Sequence, residues 1–511
     1  MKNKILLILF YLFIAAILVF SIRGIMGNPT SQNVNQISWT DDGPFELSPE
    51  RGRFALTLSL VENKSFQFTT PLALFAVPDL GYKNGKFVSL FAPLLSFLIL
   101  PGYLVGQLFN IGQVGAYAVV ALFALVNVIL VYSISKKLGA NGLAAAIAGA
   151  IFLFATPAFA YGVSLYQHHV STFLILLSIY ILVSTEKIWP LIFVWVLVGA
   201  AIPLDYPNLL FMLPIMAVSL LRLISTTIKD QSVIIKVRLW GGLTLAGLLL
   251  PLLFFFWFNF QSYGSPLAFL SSVAQIKNLN PNGTIVTSTD PQIKSRTEEN
   301  RSVLIFFNSR LELNGFNILF LSPDRGIVFF APIVLFGLLG AYILYSQQNK
   351  HTALLLGVAG FNFIVYSIWG DVWGGWSFGS RYLLPTYAIL SICLAIALTK
   401  LRKKLVFVLP LFLVMIYSVS VNSLGALTSS RNPPQVETVA LSKLSGRTEK
   451  YSFDRNLDFL YANKSKSFVW QTWAAPSLTA MQYYLILNGL IISLLGSMLF
   501  WAYFQRFESR L

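Results

Sequence analysis

Charged residues are scarce in this sequence of 511 residues. They make up 11% of the chain, whereas a typical soluble domain has about 25%. Hydrophobic residues make up 56%, and the mean hydropathy is +0.71. The shortage of charge excludes an ordinary soluble globular protein and predicts a chain that lies in lipid.

Cysteine is almost absent, because Cys393 is the single cysteine of the chain and stands inside an apolar run. This excludes a disulfide framework and a metal site built from cysteines. The patterns GxxxxGK[ST], HExxH and GxSxG are also missing. Their absence argues against a nucleotide-driven pump, a zincin protease and an α/β-hydrolase.

The net charge of +16 does not indicate nucleic-acid binding. The basic residues form short clusters between apolar runs rather than one continuous basic surface. Clusters of this kind set the orientation of a membrane protein. We therefore expect membrane lipids, and no nucleic acid, among the partners.

Twelve apolar stretches are long enough to span a bilayer, which takes about 17–25 residues. They predict an all-α polytopic membrane protein with about twelve transmembrane helices. The first stretch has the charged start of a signal peptide without a convincing cleavage site, so an uncleaved signal anchor is expected. The stretches are 5–22, 113–134, 141–160, 170–185, 188–204, 207–224, 238–259, 327–346, 352–370, 383–399, 404–424 and 481–503.

The placement of basic residues predicts which ends of these helices face the cytoplasm. If a further apolar stretch, 88–108, does not cross the membrane, nearly all basic short loops fall on one side, and both termini are cytoplasmic. If 88–108 crossed, most of that bias would reverse. We therefore predict an interfacial or re-entrant hairpin at 88–108 in a multi-pass protein of the plasma membrane.

Three long segments then lie outside the cytoplasm. The first outer loop, 23–112, is expected to contain juxtamembrane helices, and the second outer loop is 260–326. Together with the spans up to residue 424 they would form the main membrane unit. Segment 425–480 would be a small outer cap, and 481–511 the last span and a cytoplasmic tail. No DxD pair appears on the outer face, so an activated sugar there would arrive on a lipid rather than on a nucleotide.

The outer face collects the residues with chemical potential. Carboxylates on this face could accept a proton, and cations could hold a phosphate. Each also has a purely structural explanation. Asp41 and Asp42 could form a turn before Gly43-Pro44, and Glu50 and Arg53 could form an ion pair on a helix surface. Lys86 could be a solvated charge after the Asn-Gly turn, and Asp205 could cap a helix. His168 and His169 could equally be interfacial residues. Arg381, in a Gly/Trp-rich stretch, favours phosphate or carboxylate binding.

Several segments resemble, in the same order along the chain, those of GT-C membrane glycosyltransferases, especially the protein O-mannosyltransferase and lipid A aminoarabinose transferase group. ERGRFALTLSLVENKSF (50–66) is similar to the first outer-loop motif of that family, and 78–106 is similar to its apolar hairpin. The further matches are LYQHH (165–169), LDYPNLL (204–210), NFQSYGSPL (259–267), SPDRGIVFFAP (322–332) and GGWSFGSRYLLP (374–385).

The resemblance implies an inverting transfer of a hexosyl or pentosyl group from a polyprenyl-phosphate donor to a lipid, glycan or protein acceptor. Glu50 stands at the family's first-loop Asp, Arg53 at its Arg and Phe54 at its Tyr. Because the acid here is Glu, Asp41 or Asp42 remain alternative bases. Leu90 and Phe91 stand where a lysine is expected, so Lys86 or Lys83 would supply that charge.

The expected donor-phosphate residues are therefore Arg381, Lys86, Arg53 and Lys83. The expected substrate contacts are His168, His169, Asp79 and Tyr382. The 88–108 hairpin and the span 383–399 would flank the lipid tail. No cofactor is required, and the acidic residues neither require nor exclude a divalent metal.

Two other classes of protein remain as alternatives. A transporter or flippase of lipid-linked glycans would need ionisable residues within its spans, near the middle of the membrane. A polymerase or ligase would join preassembled glycans on the same outer face. A non-catalytic scaffold would tolerate replacement of Arg381 and the first-loop carboxylates.

Overall fold

The chain folds into a bundle of apolar helices with smaller elements gathered at one end. The computed structural model describes residues 2–40, 43–229, 232–268, 273–286, 312–446 and 448–504. The apolar helices are Lys2–Ser21, Leu94–Gln107, Gly112–Lys137, Gly142–Phe154, His168–Ser184, Leu191–Leu204, Leu213–Leu221, Leu249–Tyr263, Gly337–Ser346, Thr352–Ser367, Leu384–Leu401, Leu405–Leu427 and Ala480–Phe504. Two are extended at their starts by 3₁₀ turns, Leu239–Leu248 and Pro332–Phe336.

Helix formation in the twelve stretches is confirmed, because each coincides with one of these helices or with two or three short consecutive helical elements. Within the described residues, five helical segments are long and apolar enough to cross a membrane: Gly112–Lys137, Leu239–Tyr263, Arg381–Leu401, Leu405–Leu427 and Ala480–Phe504. Seven further apolar helices have 10–17 residues. The number of crossings stays a prediction.

The centre of the bundle is the helix Leu384–Leu401. Every side chain from Leu384 to Leu398 is buried. The helix packs against Gly337–Ser346, Gly142–Phe154, Thr352–Ser367 and Gly112–Lys137. The expectation that span 383–399 flanks a lipid tail is therefore wrong for most of its length, because neighbouring helices occupy the positions that lipid would take.

The segment 88–108 differs from the expected hairpin. Its first residues end a strand, and Leu94–Gln107 forms one helix that packs antiparallel to Gly112–Lys137. Gly102 and Gly115 permit this close approach, because a Cβ on Gly102 would lie 2.4 Å from the Gly115 carbonyl oxygen. The hairpin therefore consists of the helix Leu94–Gln107 and the helix that follows it, Gly112–Lys137.

Both ends of the helix Leu94–Gln107 contact the first outer segment. Near its start, the Ser96 hydroxyl donates to Arg53 O at 2.9 Å. At its end, the Asn28 amide donates to Gln107 O at 3.1 Å. This arrangement supports the prediction that 88–108 does not cross the bundle, because a crossing helix would place its two ends at opposite faces.

Short helices and a small sheet lie at this end of the bundle. The expected juxtamembrane helices are present in the first outer loop as Ser48–Glu62 and Thr70–Ala76. The remaining short helices are Ala158–Gly162, Asn208–Phe211, Glu312–Phe320, Ile327–Phe330, the 3₁₀ turn Arg381–Leu383, Gln435–Ser445, Asp454–Tyr461 and the π-helical turn Trp470–Ala474.

A three-stranded antiparallel sheet joins the first and second outer segments. The sequence did not predict this sheet. Strand β1 (Leu80–Lys83) pairs with β2 (Lys86–Ser89) and with β5 (Ala274–Ile276). Asn84 and Gly85, with φ of 51° and 78°, form the turn between β1 and β2. The predicted Asn-Gly turn is therefore confirmed. A separate hairpin consists of β3 (Ile224–Lys229) and β4 (Ser232–Val237).

Candidate active site

Glu50 lies in the first turn of the helix Ser48–Glu62 and is completely buried. Its Oε1 accepts a hydrogen bond from the Leu165 N–H, and its Oε2 accepts one from the Leu47 N–H, both at 3.3 Å. Burial raises the pKa of Glu50 to about 7 despite the opposing field of Arg23. A carboxyl with this pKa is suited to take up a proton near neutral pH.

Arg53 follows one helical turn after Glu50 and is 2% exposed. Its Nη1 donates to Pro49 O at 2.9 Å, and its guanidinium lies over the Phe91 ring at 4.4 Å. Its Nε is buried without a hydrogen-bond partner. Burial lowers the pKa of Arg53 to about 10, although the Asp205 carboxylate opposes this. The side chain therefore keeps its charge while part of its donor capacity is unused.

Arg381 approaches the same place from the start of the central helix. Its Nη2 donates to Gly374 O at 2.8 Å, and its guanidinium lies 5.1 Å from the Tyr166 ring centre and 5.7 Å from that of Tyr382. Its Nε and Nη1 are buried and make no hydrogen bond. Arg53 and Arg381 are close enough for each charge to act on the other.

Another arginine, Arg325, fixes the loop that carries Arg381. Arg325, in the matched SPDRG segment, donates from Nε to Trp373 O at 2.9 Å and from Nη2 to Gly375 O at 2.9 Å. Its own charge is paired with Asp324 at 2.8 Å. Arg325 thereby fixes the loop, while Nε and Nη1 of Arg381 have no hydrogen-bond partner.

Tyr166 connects the acidic and basic sides of the site. Its hydroxyl is buried without a partner. Glu50 and Arg381 are the two charges that act on it most strongly, and burial raises the pKa of the Tyr166 phenol well above its usual range. A protonated phenol between a carboxylate and a guanidinium can donate a hydrogen bond to an incoming oxygen.

His168 and Asp205 complete the cluster. His168 is stacked on Tyr166, with ring centres 6.0 Å apart, and its Nε2 is buried without a partner. Asp205 accepts a hydrogen bond from the Gln167 amide at 2.7 Å. Removal from solvent raises the pKa of Asp205, and Arg53 opposes this rise.

Of the residues selected from the sequence, the structure brings together Glu50, Arg53, His168, Arg381 and Tyr382. Tyr382 is stacked face to face on Tyr366, with ring centres 4.1 Å apart. Asp79 lies at the edge of the cluster, where it accepts hydrogen bonds from Ser48 and Gln275.

Three further candidates, His169, Lys86 and Lys83, have other placements. His169 is buried in helix packing, where its Nε2 donates to Ala158 O at 2.7 Å, so it does not lie at the mouth of a site. Lys86 is exposed and Lys83 half-buried, both next to the turn between β1 and β2. Asp41 and Asp42 lie outside the described residues.

Two members of the cluster were missed by sequence reasoning. Asp205 was interpreted as a cap, and its N–H does end the helix Leu191–Leu204 by donating to Ala201 O. Its side chain nevertheless faces Arg53. Tyr166 precedes the two histidines in a matched segment, and that position was the available signal. Among the described residues, no group of three or more His, Cys, Asp or Glu side chains could hold one metal ion.

No protein-family model and no curated protein matches the sequence. The structure is similar to crystal structures of ArnT from Cupriavidus metallidurans. The apo form gives a TM-score of 0.48 at 14% identity, covering 98% of this chain and 78% of that one. The form bound to undecaprenyl phosphate gives 0.45 at 13%, covering 96% and 77%.

The structure is also similar to the archaeal oligosaccharyltransferase AglB from Archaeoglobus fulgidus, in complex with an inhibitory peptide and a dolichol-phosphate. The TM-score is 0.39 at 14% identity, covering 96% of this chain and 56% of that one. ArnT and AglB are both GT-C membrane glycosyltransferases, the group indicated by the motifs. The likeness concerns the path of the chain and not the residues of the site.

Proposed function

We propose that this protein is a membrane glycosyltransferase that moves a sugar from a polyprenyl-phosphate donor to a lipid, glycan or protein acceptor. The observation that carries the proposal is the pair of arginines, Arg53 and Arg381, which keep unpaired, buried N–H groups in one cluster with Tyr166. Glu50 acts on Tyr166 from the other side of the cluster. Asp205 offsets part of the charge of Arg53, but two buried guanidinium groups with unpaired N–H groups are costly, so a site that keeps them is suited to bind an anion.

The reaction follows from the charges. Glu50 would accept the proton of an acceptor hydroxyl or amine, and the acceptor atom would bond to the anomeric carbon of the sugar. The bond from that carbon to the phosphate oxygen would break, and its electron pair would leave with the polyprenyl phosphate. Arg53 and Arg381 would stabilise the added charge on the phosphate. Attack opposite to the leaving group would invert the anomeric centre.

The position of the cluster favours a lipid-linked donor. Arg381 and His168 stand at the first residues of apolar helical segments, and Asp205 directly follows one. The helix Leu94–Gln107 runs along the same end of the bundle and exposes Leu104 and Val105. A lipid tail could lie against this helix while its phosphate reaches the arginines. Undecaprenyl phosphate and dolichol-phosphate, bound in two of the similar structures, are ligands of this chemistry.

Replacement of Arg381 by alanine tests the proposal. Purified protein in lipid nanodiscs would be given defined polyprenyl-phosphate sugars, and loss of the sugar-lipid would be followed. We expect R381A to lower kcat/KM for the donor by about 100-fold, because one charge-assisted contact to the leaving group is lost. Protein level should change little.

Lys443→Ala is the matched control, because Lys443 is an exposed cation of the helix Gln435–Ser445. It should transfer sugar at the wild-type rate. Normal transfer by R381A would remove Arg381 from the mechanism. Release of water-soluble sugar without transfer would identify a hydrolase, and movement of the intact sugar-lipid between leaflets would identify a flippase.

A further inference from the structure

A buried ion cluster lies next to Glu50 and has no part in the reaction described above. Arg23, just after the helix Lys2–Ser21, is completely buried. Its Nη1 donates to Glu46 Oε2 at 3.0 Å, and its Nη2 donates to Gly425 O at 2.8 Å. The guanidinium is therefore held in a fixed orientation, with Glu46 as its counter-charge.

Glu46 collects partners from distant parts of the chain. Besides Arg23, its Oε2 accepts a hydrogen bond from the Ser430 N–H at 3.0 Å, and its Oε1 lies 3.8 Å from the Lys466 ammonium. Burial raises the pKa of Glu46, but the charges of Arg23 and Lys466, together with hydrogen bonds from Ser429 and Ser430, outweigh it, so the net shift of the pKa is downward. Glu46 is accordingly an anion at neutral pH.

The backbone at Arg23 and Glu46 leads directly to the two groups that bind Glu50. The Arg23 N–H donates to Val163 O at 3.2 Å, two residues before Leu165, whose N–H donates to Glu50. Glu46 immediately precedes Leu47, the other donor to Glu50. A change in the Arg23–Glu46 pair would therefore move the hydrogen-bond donors to both carboxylate oxygens of Glu50.

In the part of the chain that the structure describes, four titratable groups face Glu50 from the elements packed around it. They are Arg23 after the first helix, Glu46 in the first outer segment, Tyr117 on the helix Gly112–Lys137 and Tyr166 before the helix His168–Ser184. Arg23 is the cation of this set. Its field favours the ionised form of Glu50, and the field of Glu46 opposes it.

We propose that Glu46 is a positioning residue, which holds and neutralises Arg23 so that Glu50 remains a base. The inference rests on the proposed function and names a residue that need not touch substrate. Without the Glu46 charge, Arg23 would turn Glu50 into its own counter-ion and weaken the affinity of Glu50 for a proton.

The acidic limb of the pH–rate profile is the range in which kcat/KM rises with pH as Glu50 loses its proton. The position of this limb measures the effect of Glu46 on the pKa of Glu50. We expect Glu46→Gln to move that limb to lower pH. A downward shift of about one pKa unit from about 7 would raise the ratio of kcat/KM at pH 6 to that at pH 8 by about fivefold. Arg23→Gln should move the limb the opposite way, because the field of Glu46 would then act alone.

Two controls separate charge from packing. Glu46→Asp keeps the charge but shortens the side chain, so its limb should stay at the wild-type pH even if the rate falls. Ser430→Ala removes the hydroxyl contacts to Arg23 and Glu46 but no charge, and it too should leave the limb in place. A purely structural role for Glu46 would lower activity at every pH without moving the limb in either direction.

The outcomes also separate this inference from the proposed function. If the wild type transfers no sugar from any polyprenyl-phosphate donor, the proposed function fails. If the wild type transfers sugar and Glu50→Gln does not, an unshifted limb in both E46Q and R23Q overturns the role of Glu46 alone. Because the two variants have expected shifts of opposite sign, either one decides the matter if the other does not accumulate.

Discussion

At the scale of single residues, Glu50 combines complete burial with two backbone hydrogen bonds. Burial favours the neutral acid, whereas the N–H groups of Leu47 and Leu165 favour the carboxylate. The balance leaves its pKa about 7, near the pH at which the enzyme would work. A small change in the charges around Glu50 therefore changes the fraction of Glu50 that is ionised at neutral pH.

Transfer should depend on the ionisation of Glu50. We expect kcat/KM to rise through about pH 7, as the carboxyl loses its proton. Glu50→Gln should lower kcat by about 100-fold or more, because no base remains. The measurement is donor consumption between pH 5.5 and 8.5. A flat profile, or activity in E50Q, would exclude Glu50 as the base.

The same pKa makes a prediction about stability. Because the pKa of Glu50 in the folded protein is raised above the ordinary value of 4.5, the neutral form stabilises the fold. That contribution is fully present below about pH 4.5 and is lost as pH rises through about 7. The thermal midpoint of E50Q in detergent should therefore exceed that of the wild type at pH 8 by more than it does at pH 5.

The adjacent histidines should behave differently from each other. His168 keeps an unpaired Nε2 in the cluster, whereas His169 is hydrogen-bonded within the helix packing. His168→Ala should lower kcat/KM by about tenfold, the effect of one lost hydrogen bond, with a normal protein level. His169→Ala should lower the protein level, and the molecules that fold should keep their activity. The reverse pattern would exchange the two roles.

The sequence predicted part of this cluster. Glu50, Arg53 and Arg381 stand in segments whose order resembles a known family, so position along the chain was enough to select them. Asp205 was set aside because a short acidic loop after a helix is a sufficient local explanation. Its proximity to Arg53, more than 150 positions earlier, arises from helix packing that no local pattern encodes.

At the scale of elements, the sheet is the feature that unites distant segments. Strand β1 pairs with β2 through an Asn-Gly turn, and such a turn can be predicted from two residues. Its other partner, β5, has three residues and follows nearly two hundred positions later. A strand so short has no alternating pattern, and this is why the sequence predicted the Asn-Gly turn but not the sheet.

A cross-link tests the pairing of β1 with β5. Tyr82 and Ala274 are opposite each other in the register, a separation that a disulfide can span. With Cys at both positions, mild oxidation should remove two free thiols as counted by a maleimide reagent. The native Cys393 is buried and should not interfere. Tyr82→Cys with Lys277→Cys, which is out of register, should stay reduced. Equal oxidation of the two pairs would contradict the sheet.

At the scale of the whole molecule, the two faces of the bundle differ in charge. The basic clusters predicted to be cytoplasmic include Lys136, Lys137 and the group from Lys400 to Lys404. The described parts of the three outer segments contact one another at the opposite end, through the sheet and through Arg23, Glu46 and Lys466. The prediction of an outer and a cytoplasmic face rests on hydropathy and charge, which are both summed over many residues, so single errors matter little to it.

Orientation can be measured with single cysteines. Lys443 and Lys403 are both exposed and lie at the two ends predicted to be outer and inner. In intact cells, a membrane-impermeant maleimide should label Lys443→Cys and not Lys403→Cys. Both should react after detergent is added. Labelling of Lys403→Cys alone in intact cells would reverse the predicted topology.

The ties between Arg23 and the last outer segment imply an order of events during synthesis. Arg23 leaves the ribosome among the first residues, yet Gly425 and Ser430, to which it donates, follow about four hundred positions later. Until then its guanidinium can pair with Glu46 but lacks these two later partners. A nascent chain halted near residue 420 could insert most of its helices and still lack the closed surroundings of Glu50. The site around Glu50 would therefore be completed only late in synthesis, so that an unfinished chain could not act on the lipid carrier.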